Sequence, residues 1–149
     1  MATTTSNVQT LVRDALSDNE FFSDNNITII SETACDTPNA FEAAMADPGC
    51  CVIIGKPSYS RSSGGGVNIS VPVEVFENVT INQGTGGTGK GIDEIAETVW
   101  ASCEMYTNPL FPQFSKLIPQ TLDHDLVDLG TLVATITVNT FSGVSITNI

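Results

Sequence analysis

The sequence predicts an α+β fold: a single domain, 1–149, with a mainly antiparallel or mixed β-sheet flanked by about three α-helices. Three observations carry that reading. From Val67 to Ile81, Val67, Ile69, Val71, Val73, Val75, Val79 and Ile81 alternate with Asn68, Ser70, Pro72, Glu74, Asn78 and Thr80, the period of a half-buried strand. Phe76 is the apolar exception to the pattern and Glu77 its polar intruder. From Ile92 to Tyr106, the residues Ile92, Ile95, Ala96, Val99, Trp100, Cys103 and Tyr106 recur at the spacing of one helix face, with Asp93 and Glu94 suiting the dipole of its first turn. A glycine-rich turn, Gly84–Gly91, joins the two.

In chain order, a first helix fits Val8 to Leu16, with Ser6 or Asn7 as its cap. Phe21 and Phe22 then return to the core, and Ile27 to Ile30 reads as a short strand. Thr37 and Pro38 open a second helix that runs to Ala46. Cys51 to Ile54 is apolar on both sides, as in a central strand. Ser58 to Gly66 reads as a flexible polar loop. The long strand 67–81 would reach on the order of 50 Å, beyond the usual length in a small domain. Pro72 lacks a ladder donor and implies an edge position or a bend, so the strand is expected to project past the sheet of its own subunit. Thr107 to Gln120 is an irregular connection with three prolines, and Leu132 to Asn139 is a last strand. Residues 142–149 continue that strand or form a C-terminal arm.

Composition narrows the classes. Seventeen acidic residues face five basic ones, for a net charge of −12. Five scattered cations cannot form the basic stripe that supplies nucleic-acid affinity, and anionic membrane surfaces are disfavoured for the same reason. No secretory leader or apolar run of membrane-spanning length is read in the chain. Cys35, Cys50, Cys51 and Cys103 form no CxxC and read as buried free thiols in preference to a disulfide framework. The triplets at Asn26, Asn68 and Asn78 would accept glycans only in a secreted protein.

Two segments resemble chemistry. Gly84, Gly89, Lys90 and Gly91 come within one residue of the phosphate-binding GxxxxGK[ST] loop, but Gly91 stands where the magnesium-binding hydroxyl belongs. The bland alternative is a connection whose glycines permit positive φ. Asp123, His124 and Asp125 match no metal-ligand spacing and read as a solvated acidic turn. His124 is the one histidine, and no Gly-x-Ser-x-Gly turn offers it a nucleophile. Glu77 either pairs at an interface or is turned outward by a bulge.

Several phrases together resemble the tail terminator (tail completion) proteins of tailed phages and prophages. They are the helix Val8–Leu16, Cys50-Cys-Val-Ile-Ile54 with Pro57, Val71-Pro-Val-Glu-Val-Phe-Glu-Asn-Val-Thr-Ile-Asn82, and Gly87-Thr-Gly-Lys90 leading into Ile92-Asp-Glu-Ile-Ala-Glu97. The second of the two asparagines, Asn82, is followed by Gln83 where that family usually has Arg or Ser. The resemblance covers Val8 to Cys103 and implies a non-enzymatic virion protein of the tail and neck, assembled in the host cytoplasm. Such proteins form a six-fold ring that caps the head-proximal end of the tail tube. The implied partners are further copies of the chain, the tail tube protein and the neck or stopper protein, with the sheath protein as an additional candidate. DNA passes through the lumen without being specifically bound, and an acidic chain suits such a conduit. The resemblance implies no cofactor, metal or catalytic residue.

The candidate contact residues are Tyr59, Arg61 and Ser62, then Glu77, Asn78, Asn82, Thr85, Thr88 and Lys90, and finally Phe111 and Phe114. The alternatives are a head-completion or stopper protein of the same neck and a nucleotide-binding protein using Gly84–Lys90. A small secreted binding module is a third, which the missing leader disfavours.

Overall fold

The computed structural model describes residues 3–32, 37–128 and 130–143. Among them the chain forms five helices and six strands: α1 (Thr4–Ser17), α2 (Glu20–Asp24), β1 (Thr28–Ser31), α3 (Thr37–Ala46), β2 (Cys50–Ile54), β3 (Ser58–Arg61), β4 (Val67–Asn78), α4 (Val79–Asn82), α5 (Ile92–Cys103), β5 (Ile118–Asp128) and β6 (Thr131–Ser142). The fold is α+β with one mixed sheet in the order β1-β2-β4-β6-β5, and β3 lies beside β4 in line with β2. Only β1 and β2 are parallel; all other neighbours run antiparallel.

The long strand sits in the middle of this sheet. Each residue of β4 from Val67 to Asn78 has a partner in β6, from Ser142 back to Thr131. Its other side pairs with β2 over residues 73–77 and with β3 over residues 67–70. The projecting strand expected at 67–81 is therefore replaced by a 12-residue central one of about 40 Å. Pro72 explains how a proline survives there. The Gly55 N–H donates to the Pro72 carbonyl (2.8 Å), so the nitrogen of Pro72 faces the same side, where the opposing Gly55 carbonyl accepts from Gln9 Nε2 (3.2 Å) and is satisfied without a donor from the strand. The strand ends three residues early because the Asn78 side chain accepts from Ile81 N–H (3.3 Å) and caps the short turn α4. Ile81 consequently lies exposed instead of continuing the inner face.

The odd-numbered face of β4 packs under α1 and α5. Val8, Leu11, Val12 and Leu16 from α1 meet Val71, Val73, Val75, Val52, Ile54, Ala134, Ile136 and Val138 of the sheet, with Ile95, Ala96 and Val99 of α5. Burying each branched aliphatic side chain contributes roughly 1.5–3 kcal/mol, and this face holds most of them. The helix α1 starts earlier than the apolar pattern suggests: Thr3 is its cap and exchanges bonds with Ser6 in a capping box. On the opposite face α3 covers only one end, where Ala44 packs on Ile30, Cys51 and Ile53 and the ring of Phe41 meets Phe76 edge-on at 4.9 Å. The remainder of that face is polar, with Glu74, Thr135 and Thr137 half-buried and Asp123 and Asp125 exposed.

Two segments read as loops contain strands. Ser58–Arg61 pairs with β4 as a hairpin strand, and Ile118–Asp128 is the edge strand β5. Asp123, His124 and Asp125 thus belong to a strand instead of a turn. Cys50, Cys51 and Cys103 are buried free thiols, and burial pushes Cys51 and Cys103 up to about 12. Cys35 and most of the proposed arm, 144–149, lie outside the described residues. No helix among the described residues is long and apolar enough to cross a membrane.

Burial, and next the neighbouring Glu32 carboxylate, raise the pKa of Glu74 above its ordinary 4.5. The folded chain therefore holds this proton more tightly than the unfolded chain does. The resulting stabilisation is complete below the ordinary value and is lost as pH rises through the raised one. Glu74→Gln is expected to raise the Tm at pH 7, and the difference from wild type is expected to close as the buffer is taken to pH 4; thermal melts across that range check it.

Candidate functional site

The predicted contact residues divide into three places. Tyr59, Arg61 and Ser62 lie on the β3–β4 hairpin at one end of the sheet. The Tyr59 hydroxyl is 2.6 Å from Thr5 Oγ1, which ties the hairpin to α1, while Arg61 is exposed. Ser62 N–H donates to the Gly66 carbonyl (3.2 Å), closing the turn. Phe111 and Phe114 lie in the connection between α5 and β5 and point inward, with their ring centroids 6.4 Å apart. That connection is pinned to the body of the protein. Tyr106 Oη donates to Asp18 Oδ2 (2.9 Å) and Asn108 Nδ2 to Asp14 Oδ2 (2.9 Å), while Ser115 N–H donates to the Phe141 carbonyl (2.8 Å). Burial, then the bond to Asp18, pushes the Tyr106 phenol up to about 12. Leu110 in this segment is an exposed large hydrophobic, at 80% exposure.

The third group converges at the end of β4. Glu77 keeps the alternation of its strand and points inward, where it is 2% exposed. It does not bulge outward: its pairing with Leu132 and Cys50 is in register. Its Oε1 accepts from the Ile92 N–H at the start of α5 (3.0 Å). Its Oε2 accepts from Asn82 Nδ2 (2.7 Å) and Gln83 Nε2 (2.8 Å). A buried carboxylate is costly unless its lone pairs are used, and here three donors use them, one being the amide at a helix N-terminus.

Asn82 is fully buried and organises the glycine turn from within. Its Nδ2 also donates to the Lys90 carbonyl (2.7 Å), and its Oδ1 accepts from the N–H (3.2 Å) and the hydroxyl of Thr88. The Asn82 carbonyl accepts from Gly89 N–H (3.0 Å), and Thr88 Oγ1 accepts from Lys90 N–H (3.1 Å). The turn wraps so tightly that a Cβ on Gly87 would lie 2.1 Å from the Asn82 carbonyl oxygen. Lys90 itself points outward to Glu94, Nζ to Oε2 3.5 Å, in a solvent-exposed i,i+4 pair. Thr85 is exposed at the tip and enters none of these bonds.

This geometry bears directly on the nucleotide-loop reading. In a phosphate-binding loop the backbone N–H groups and the helix N-terminus face an empty cradle. Here the Glu77 carboxylate already occupies the anion position at α5, the Thr88 and Gly89 amides are turned onto Asn82, and the lysine lies outside. A phosphate would have to displace a buried carboxylate of like charge. The arrangement holds a strand, a turn and a helix in fixed relation and exposes no reacting group. Asp93 and His124 form a separate, exposed pair, Oδ1 to Nδ1 3.7 Å, charged only when the imidazole is protonated. No group of metal-ligating side chains is found among the described residues.

Sequence reasoning named Glu77, Asn82, Thr88 and Lys90 but missed Gln83 and the Ile92 amide, which complete the carboxylate's shell. The signal for Gln83 was its place directly after Asn82, five and six residues beyond the glutamate they share. No protein-family model matches the chain, and no curated protein matches it.

Removing this carboxylate leaves buried donors unpaired. Glu77→Ala is expected to lower the unfolding free energy by about 3 kcal/mol, and Glu77→Gln, which keeps one acceptor, by about 1–2 kcal/mol. Urea titration followed by tryptophan fluorescence at Trp100 measures both.

Proposed function

We propose that this chain is a structural protein of a phage tail: a terminator that forms a six-fold ring on the head-proximal end of the tail tube, stops its growth and joins it to the neck. The observation that carries the reading is the role of Glu77, Asn78 and Asn82. These are polar residues of one of the phrases that together carry the resemblance; Glu77 and Asn82 hold β4, the glycine turn and α5 together, and Asn78 caps α4. A motif used for internal rigidity suits an adaptor whose work is geometric. The net charge of −12 supports it further, since an acidic wall lets a polyanion slide past without adhering. Copies of the chain and the tube and neck proteins are the partners in this reading, and the virion is its place.

The test is electron microscopy of negatively stained tails assembled with and without the protein. Tubes of uncontrolled length in its absence, and arrest of growth when the purified chain is added back, are the expected results. Tails of normal length that fail only to join heads would move the chain to the stopper reading. Normal, head-joined particles in its absence would overturn the proposal.

A further inference from the structure

The sheet has one outer strand that its own residues do nothing to protect. We propose that Arg13 of α1 is the guard of the β1 edge, and that the partner it holds off is the same edge of a second copy of this chain. This inference stands independently of the terminator reading.

Alternation decides which way the backbone of β1 faces. β1 has a neighbour on one side only, running parallel to β2 from Thr28 opposite Cys51 to Ser31 opposite Ile54. The next residue, Glu32, donates its N–H to the Ile54 carbonyl (2.8 Å). Backbone groups along a strand turn to a given neighbour at every second residue, so Thr28 and Ile30 face β2 as Glu32 does. The N–H and C=O of Ile29 and Ser31 therefore point away from the sheet. Among the described residues a single one of these outward groups has a partner: the Ile29 carbonyl accepts from Arg13 Nη2 (2.9 Å). Arg13 Nη1 also donates to Ser31 Oγ (3.2 Å), so the guanidinium is held at both outward-facing residues.

Composition shows why a guard is needed. Outer strands ordinarily carry charge, proline or a bulge that discourages addition of a further strand. β5 has exposed Asp123 and Asp125 and a shifted register toward each end, and β3 is short and ends at exposed Arg61. β1 with the residue before it reads Ile27-Thr-Ile-Ile-Ser31, a β-forming run with no charge and no proline. Protection comes from a side chain of another element. Arg13 forms no ion pair among the described residues, in a chain of 17 acidic and five basic residues. Its donors go to the neutral acceptors of this edge instead.

The same features name the partner. Two β1 edges related by a two-fold axis run antiparallel, with Ile29 of each copy opposite Ser31 of the other. Every outward N–H and C=O then finds a mate, and no like charges face one another across the pair. The contact is isologous, the same patch serving both copies. Two β5 edges would instead bring Asp123 and Asp125 toward their own counterparts. Pairing through β1 requires the Ile29 carbonyl that Arg13 holds, so the guanidinium and the second copy exclude each other.

Two substitutions test this. Arg13→Ala opens the edge. Ser31→Pro closes it again, because the Ser31 N–H faces outward and a proline there removes no bond to β2. Folding of each variant is checked by circular dichroism. In sedimentation velocity Arg13→Ala is expected to self-associate roughly tenfold or more tightly than wild type, and Arg13→Ala/Ser31→Pro to return to wild-type behaviour. A folded Arg13→Ala that sediments like wild type, or an association that Ser31→Pro leaves intact, overturns the guard. Amide hydrogen exchange on the wild-type chain adds an arm that needs no variant. Exchange is expected to be slow at Ile30 and fast at Ile29 and Ser31 at every protein concentration. Protection of Ile29 or Ser31 that grows with concentration overturns the proposal, even should Arg13→Ala fail to fold.

Discussion

A single buried carboxylate sets the geometry of this protein's most distinctive unit. Glu77 lies at the last inward-facing position of the central strand, and its two oxygens reach the amide that begins α5 and the two side chains that end α4. Because an unpaired carboxylate in that position would cost several kcal/mol, the strand end, the turn and the helix start can form only together. The glycines of the turn serve that closure. Gly87 lets the backbone pass against the Asn82 carbonyl, where any side chain would collide.

The joint also fixes what the rest of the sheet can do. With α5 held over the odd-numbered face of β4, that face becomes the main core, and the other remains largely polar beyond α3. The central strand is saturated on both sides, so strand-mediated contact with another molecule falls to the outer strands. Of these, β5 carries the exposed Asp123 and Asp125, β3 ends at the exposed Arg61, and β1 bears no charged side chain.

Much of this was legible in the sequence because its hydrophobic periods are strong. Alternation over Val67–Val75 and the helical spacing from Ile92 gave the central unit, and the apolar run Cys51–Ile54 gave its neighbour. The far end of the long strand was misjudged because Val79 and Ile81 prolong the alternation in sequence while Asn78 caps a helical turn in space. β5 escaped because its exposed edge is dominated by Asp123, His124 and Asp125 and begins at a proline-bearing, irregular register. β3 escaped because four mostly polar residues next to glycines have no period to read. At the candidate site, Glu77 looked like an intruder only because composition cannot reveal a helix N-terminus waiting fifteen residues further along the chain.

The claim that the glycine turn is a closed structural joint is tested most directly by amide hydrogen exchange at Thr88, Gly89 and Ile92, measured with and without magnesium ATP. Slow exchange is expected at all three, comparable to the interior of α5 and unchanged by the nucleotide. Rapid exchange in the free protein, slowed on adding the nucleotide, would contradict it.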